Sequence, residues 1–159
     1  MNLITSNNSF VSNILGKTTN DIFYILYTSI VGSILLAISS KIQIPLTPVP
    51  VTLQTLVLLV MSMLVGWRGA LGATLLYLFQ GAIGLPVFAH GAGLIYLFGP
   101  TGGYLFGFIL ASIVVGFLAE KGWDKSIILT FVTLTIGTLL IYFCGVLWLA
   151  QLKDFNTAI

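Results

Sequence analysis

The side chains able to do chemistry in this sequence are few and scattered. One histidine, His90, and one cysteine, Cys144, stand far apart, so nothing has the clustered spacing a metal needs. Cys144 lies in an apolar run and reads as a small buried hydrophobe. No pair of carboxylates falls within one apolar stretch, which leaves neither glycosidase-like acid–base work nor a proton relay anything to use. Gly16-Lys17-Thr18 ends like a phosphate loop, but the earlier glycine would fall at Val11 and no strand precedes it. No nucleophile–base pair is visible. Catalysis, a resident metal and a cofactor are therefore not expected, and the chemistry that remains is binding.

The binding features gather in one place. Gly81 to Gly103 reads GAIGLPVFAHGAGLIYLFGPTGG, a glycine-rich run with two prolines and no formally charged side chain. Apolar helices flank it, and irregular backbone at membrane depth persists only where protein buries it or where it lines a cavity. Gly91, Gly93, Gly102 and Gly103 allow close approach of a ligand to the backbone, and Pro100 among them is a further candidate contact. A helix is expected to start near Thr101, a plausible N-cap residue. Its first N–H groups can receive an anionic or carbonyl oxygen, or they can simply be capped. Phe88, Tyr96 and Tyr104 offer apolar walls with occasional hydroxyls, although each alone also reads as a packing aromatic. His90 suits either a hydrogen-bonded loop position or a ligand contact. Gln54 and Gln80, within or at the ends of spans, must find partners when buried, either another helix or a ligand.

The elements that position these residues follow from composition. The chain has 159 residues, 58% of them hydrophobic and only 6% charged, with a mean hydropathy of +1.10. A soluble domain carries about 25% charged residues, so this is an all-α integral membrane bundle. A net charge of +2 gives no reason to expect nucleic acid as a partner. Hydropathy delimits five spans, at Ile22–Ser40, Val49–Val65, Ala70–Gly81, Gly103–Ala119 and Ile127–Ala150. The second and third are separated only by Gly66-Trp67-Arg68-Gly69, a tight turn that makes them a helical hairpin. Residues 1–21 read as a polar lead-in, 22–150 as the membrane domain and 151–159 as a short tail. The Lys41–Pro50 linker, with three prolines, is expected to be extended.

With a cytoplasmic N-terminus, Lys17, Arg68, Lys121 and Lys125 lie inside and Lys41 and Lys153 outside, a modest bias in the usual direction. That orientation gathers the Pro-rich linker, the Gly-rich loop and the tail on the outer face of the plasma membrane, as the rim of a binding site. Small residues recur every four positions at Ser29, Ser33 and Ala37, and at Gly99, Gly103, Gly107 and Ala111. Such rows let helices approach closely. They serve packing within the bundle or, for the first row, docking of a separate protein.

Three words then carry a resemblance: Pro48-Val-Pro-Val-Thr-Leu-Gln54-Thr-Leu, Gly81-Ala-Ile-Gly-Leu-Pro-Val-Phe-Ala89 and Gly99-Pro-Thr-Gly-Gly-Tyr-Leu-Phe-Gly-Phe108. In this order and spacing, across about Tyr24 to Leu149, the chain resembles the BioY family, the biotin-binding S components of energy-coupling-factor (ECF) transporters. The resemblance implies a six-helix bundle that takes biotin from outside, of which five helices are visible here. It implies as partners a transmembrane coupling protein and two ATPase subunits, with Ser29, Ser33 and Ala37 as the docking row. The family's acidic and lysine ligand positions on its last helix are not carried onto Lys153 and Asp154. The readings set against a biotin-specific subunit are a stand-alone carrier or channel, and a structural membrane subunit that binds no vitamin.

Overall fold

The computed structural model describes residues 21–46 and 49–156. The lead-in expected before residue 21 lies outside them, as do Thr47 and Pro48. So do the side chains beyond Leu152, Lys153 and Asp154 among them. Helix α1 (Asp21–Ser40) is followed by a minimal antiparallel pair, β1 (Gln43–Ile44) and β2 (Val51–Thr52), with Gln43 opposite Thr52. Then come α2 (Gln54–Ala82), the loop with its single turn α3 (Leu94–Leu97), α4 (Gly102–Glu120), a one-turn 3-10 helix (Trp123–Lys125) and α5 (Ile127–Asn156). Four of these helices are long and apolar enough to cross a membrane.

α2 is not one rod. Gly66 leaves helical geometry at φ 77°, ψ 174°, a backbone region open chiefly to glycine. A methyl group placed on Gly32 of α1 would meet Met61 Sδ at 2.5 Å and Ala73 Cβ at 2.6 Å. A straight helix would hold those two residues about 18 Å apart, so the chain doubles back at Gly66. The hairpin expected from the sequence is present, but its turn is the single residue Gly66, and Trp67–Gly69 are already helical. The Glu120 carboxylate reaches this turn from the end of α4 and accepts the Trp67 N–H at 3.2 Å. A carboxylate is well placed there, at the start of the hairpin's second helix.

Helices in lipid need close packing and satisfied polar groups. α1 lies against both arms of the hairpin, α4 covers the hairpin, and α5 packs on α4. Gly107 of α4 has Ile141 Cα where its own Cβ would stand, at 2.8 Å, and Gly103 has the Trp148 side chain. Gly103 and Gly107 of the small-residue row therefore stand at the α4–α5 contact. The buried hydroxyls of Thr28, Ser62, Thr74 and Thr133 donate to the carbonyl one turn back, which satisfies them without a neighbour. The apolar side chains left over face outward. Only 17% of the α5 span is buried, and Phe131, Leu139, Phe143 and Val146 are exposed along it.

Two further boundaries differ from the hydropathy reading by several residues. The second span begins at Gln54 rather than Val49, because Pro50 and its neighbours form the strand-like arm. The last helix continues past Ala150 to Asn156. The first correction matters for the site. The arm from Gln54 to the Gly66 turn rises only about 18 Å, well short of a bilayer core of about 30 Å. The space above its first turn is filled by something other than helix.

Candidate functional site: a capped cavity at one end of the bundle

A cavity of about 130 Å³ occupies that space. The arm contributes Val49, Pro50, Val51 and Thr52, the start of α2 gives Gln54 and Thr55, and the hairpin's far end gives Tyr77. The loop adds Ala89 and Tyr96, α4 adds Thr101, Tyr104, Leu105 and Phe108, and α5 adds Ile141 and Tyr142. None of these is charged. Hydroxyls, one amide and hydrocarbon share the lining, the usual make-up of a small-molecule site. At about 30 Å³ for each water in the liquid, that is room for roughly four waters.

The glycine-rich loop closes over the cavity and is fastened at several points. Val87 O accepts from Ser40 Oγ at 2.6 Å and from the Tyr77 hydroxyl at 3.3 Å. Lys41 Nζ donates to Phe88 O. Gly93 N–H donates to Gly81 O at 2.8 Å, and Trp148 Nε1 on α5 donates to Gly99 O at 3.0 Å. Phe88 is fully buried; its ring stacks on Tyr96 at 4.8 Å and meets Tyr77 edge-on at 5.5 Å. Gly81 makes room for it, since any side chain there would run into the Phe88 ring. The loop thus folds back into its own bundle.

Of the residues singled out in the sequence, Gln54, Tyr96, Thr101 and Tyr104 line the cavity. Phe88 stands one layer behind, as the support of Tyr96. His90 is exposed on the rim, its Nε2 3.2 Å from Gln43 Nε2 of β1, so it ties the loop to the arm. Gly91 and Gly93 take positive φ values of 108° and 94° with no neighbour within 4 Å of a would-be Cβ. They turn the loop. Pro100 is exposed and outside the lining. The expectation of a side-chain cap by Thr101 at the α4 start needs correcting. Thr101 occupies the N-cap position, but its hydroxyl makes no capping bond and donates to Tyr96 O at 3.4 Å. The N–H groups of Gly102, Tyr104 and Leu105 are taken by Gly99 O and Thr101 O, so three of the first donors of that helix are satisfied from within the chain. A side chain on Gly102 would collide with the Leu97 carbonyl and one on Gly103 with Trp148. Both glycines serve packing.

The row Ser29, Ser33, Ala37 also turns inward. Ser29 is 7% and Ser33 0% exposed. Ser29 Oγ lies where a Cβ on Gly72 would be, and Ala37 packs against the core. On the described chain the row is an internal contact. Sequence reasoning missed Thr52, Thr55, Tyr77, Phe108, Ile141 and Tyr142 as cavity lining. A hydroxyl within an apolar stretch was the available signal for Thr55, Tyr77 and Tyr142; nothing distinguished Phe108 or Ile141.

Fold and cavity together define a class: a multi-pass α-helical membrane protein that can seat a small, mostly uncharged molecular group at one end of its bundle. The chain belongs to the BioY family, whose model matches residues 11–159. It is similar to the biotin transporter BioY of Thermotoga maritima, 48% identical over 55% of this chain and 52% of that protein. The probable biotin transporter BioY of Lysinibacillus sphaericus is 37% identical over 72% of this chain and 59% of its own length. The chain thus spans little more than half of these two relatives. Biotin transporter BioY2 of Lactococcus lactis subsp. cremoris is 40% identical over 82% of this chain and 71% of its own length. The crystal structure of an S-component for biotin from an ECF-type ABC transporter superposes with a TM-score of 0.69. It covers 87% of this chain and 78% of its own, and at 23% identity it shows the shared fold.

Proposed function

We propose that this chain takes up biotin as the substrate-specificity subunit of an ATP-driven vitamin importer. In this reading the N-terminus is cytoplasmic and the capped cavity faces the exterior. A coupling membrane protein and two ATPase subunits, separate from this chain, drive release on the other side. The chain binds and hands over its ligand without transforming it.

One observation carries the proposal: an uncharged cavity of mixed hydroxyl, amide and hydrocarbon lining, under a loop fastened to α1, α2 and α5. The fused bicyclic head of biotin presents one polar edge and one apolar edge, and the lining offers partners for both. Its ureido edge asks for donors and acceptors, and its thioether ring asks for hydrocarbon. The names of the relatives point to the same ligand.

Equilibrium binding of labelled biotin to the purified chain tests the reading, followed by uptake into vesicles with and without the energising subunits and ATP. Saturable binding, with uptake only when the energising subunits and ATP are present, is the expected result. Uptake by the chain alone would make it a self-sufficient carrier. No binding at any accessible concentration would leave a structural subunit.

A further inference from the structure

The cap over the cavity is gripped from outside by the chain leaving α1. Ser40 Oγ donates to Val87 O at 2.6 Å, Lys41 Nζ donates to Phe88 O, and Gln43 Nε2 lies 3.2 Å from His90 Nε2. Each pair is 47 residues apart in the sequence, so the two segments lie side by side in one register. The gripped segment has little structure of its own. It runs between Gly84 and Gly91, at φ 102° and 108°, and its β-pairing is the isolated bridge from Phe88 to Gly91. Chain of this kind takes its position from what fastens it. The fastening end is firm. Gly32 of α1 sits against Met61 and Ala73 of the two hairpin arms, and at the far end the Tyr24 hydroxyl donates to Val65 O at 3.2 Å.

Lys41 holds the part of the cap on which the cavity depends. Phe88 is wholly buried with its ring stacked on Tyr96, and both Tyr96 and Ala89 line the cavity. Lys41 itself is exposed and outside the lining. An exposed lysine paired with a surface carboxylate contributes little. This one gives a charged donor to a backbone carbonyl, a stronger bond than a neutral pair makes. We propose that Lys41 is the positioning residue of the cap, holding Phe88 O so that Phe88 and Tyr96 stay over the cavity, and that it sets the rate at which a ligand passes. This inference rests on the biotin reading and adds to it a residue that controls passage without touching the ligand.

A kinetic signature follows from where the bond lies. Neither Lys41 nor Phe88 belongs to the lining, so the bond holds the cap equally over a filled and an empty cavity. Entry and exit both need the cap to lift, and the bond slows both by one factor. Lys41→Met keeps the aliphatic stem and removes the donor. It should speed association and dissociation of biotin together, each about 10-fold, the worth of one hydrogen bond to a charged group. The Kd should stay nearly unchanged. Lys41→Arg keeps the charge and the donors and should stay near the wild-type rates. The neutral primary amide of biotin should respond to both substitutions as biotin does, because the ammonium group does not meet the ligand's carboxylate.

The experiment measures association and dissociation of labelled biotin and its labelled primary amide on the purified wild-type, Lys41→Met and Lys41→Arg chains. Matched acceleration of both rates in Lys41→Met, with recovery in Lys41→Arg, is the expected result. Failure of the wild-type chain to bind biotin would sink the biotin reading and this inference with it. Wild-type binding with unaltered rates in Lys41→Met would overturn this inference alone. So would faster dissociation with unchanged association, seen for biotin and absent for the amide, which would make Lys41 a contact of the carboxylate. Slower association with a raised Kd would also overturn it, making Lys41 a prop of the folded site. Rates in Lys41→Arg equal to those of Lys41→Met would remove the assignment to a charged donor.

Discussion

At the scale of single residues, the glycines of the binding segment have different tasks despite their common appearance. Gly91 and Gly93 bend the loop through positive φ, whereas Gly102 and Gly103 exist because Leu97 O and Trp148 stand where their side chains would go. Gly103→Ala brings a methyl group against Trp148 Cβ and close to the Cys144 carbonyl, 2.7 Å away. Overpacking of this kind costs about 1–3 kcal/mol. It should also loosen the bond from Trp148 Nε1 to Gly99 O, which holds the end of the loop. The expected outcome is a lower melting midpoint in detergent together with weaker biotin binding. An unchanged midpoint with lost binding would instead mean that the ligand itself approaches Gly103. The same logic explains why the sequence alone left a ligand contact and simple capping open here. Glycines beside a helix start look alike whether they admit a ligand or a neighbouring indole, and only the position of α5 distinguishes the two.

The elements were legible to different degrees. Hydropathy located every long helix, and Gly66 lay within the stretch read as a turn, because positive-φ glycine is a local signal. Prolines identified the extended arm, yet the hydropathy window still merged Val49–Leu53 into a span, since apolar strand and apolar helix score alike over short runs. The grouping of arm and loop at one rim was visible from loop order alone. Which faces of α4 and α5 reach the cavity was not, because both helices are apolar all round and carry no stripe to orient them. α1 is the instructive case. Its small row Ser29–Ser33–Ala37 is equally suited to docking a partner and to packing at home, and here it packs, with Ser33 wholly buried. Ser33→Leu should therefore act through stability, lowering the melting midpoint by an overpacking cost of about 1–3 kcal/mol and reducing binding in step. A variant with normal midpoint and normal binding but no uptake would return Ser33 to the docking surface. Expression-normalised uptake, measured beside a melting curve, separates the two outcomes.

For the molecule as a whole, the ends of the bundle differ in chemistry. One end holds Arg68 with its guanidinium 5.3 Å from the Trp67 ring and Lys121 with Nζ 4.5 Å from the Phe117 ring. The Glu120 carboxylate and the 3-10 turn Trp123–Lys125 lie there too. Cations paired with aromatics suit the headgroup boundary. The other end holds the cavity, the arm and the loop, where Lys41 and His90 fasten the loop to neighbouring segments. In the proposed orientation the cationic end faces the cytoplasm and the cavity faces the medium. Single cysteines placed on a Cys144→Ser background test this directly. Ile95 is 89% exposed on the loop turn and Lys125 is exposed at the opposite end, and neither lines the cavity. A membrane-impermeant maleimide should label Ile95→Cys in intact cells and Lys125→Cys only after permeabilisation. The reverse pattern would turn the cavity toward the cytoplasm and overturn the proposed capture from outside.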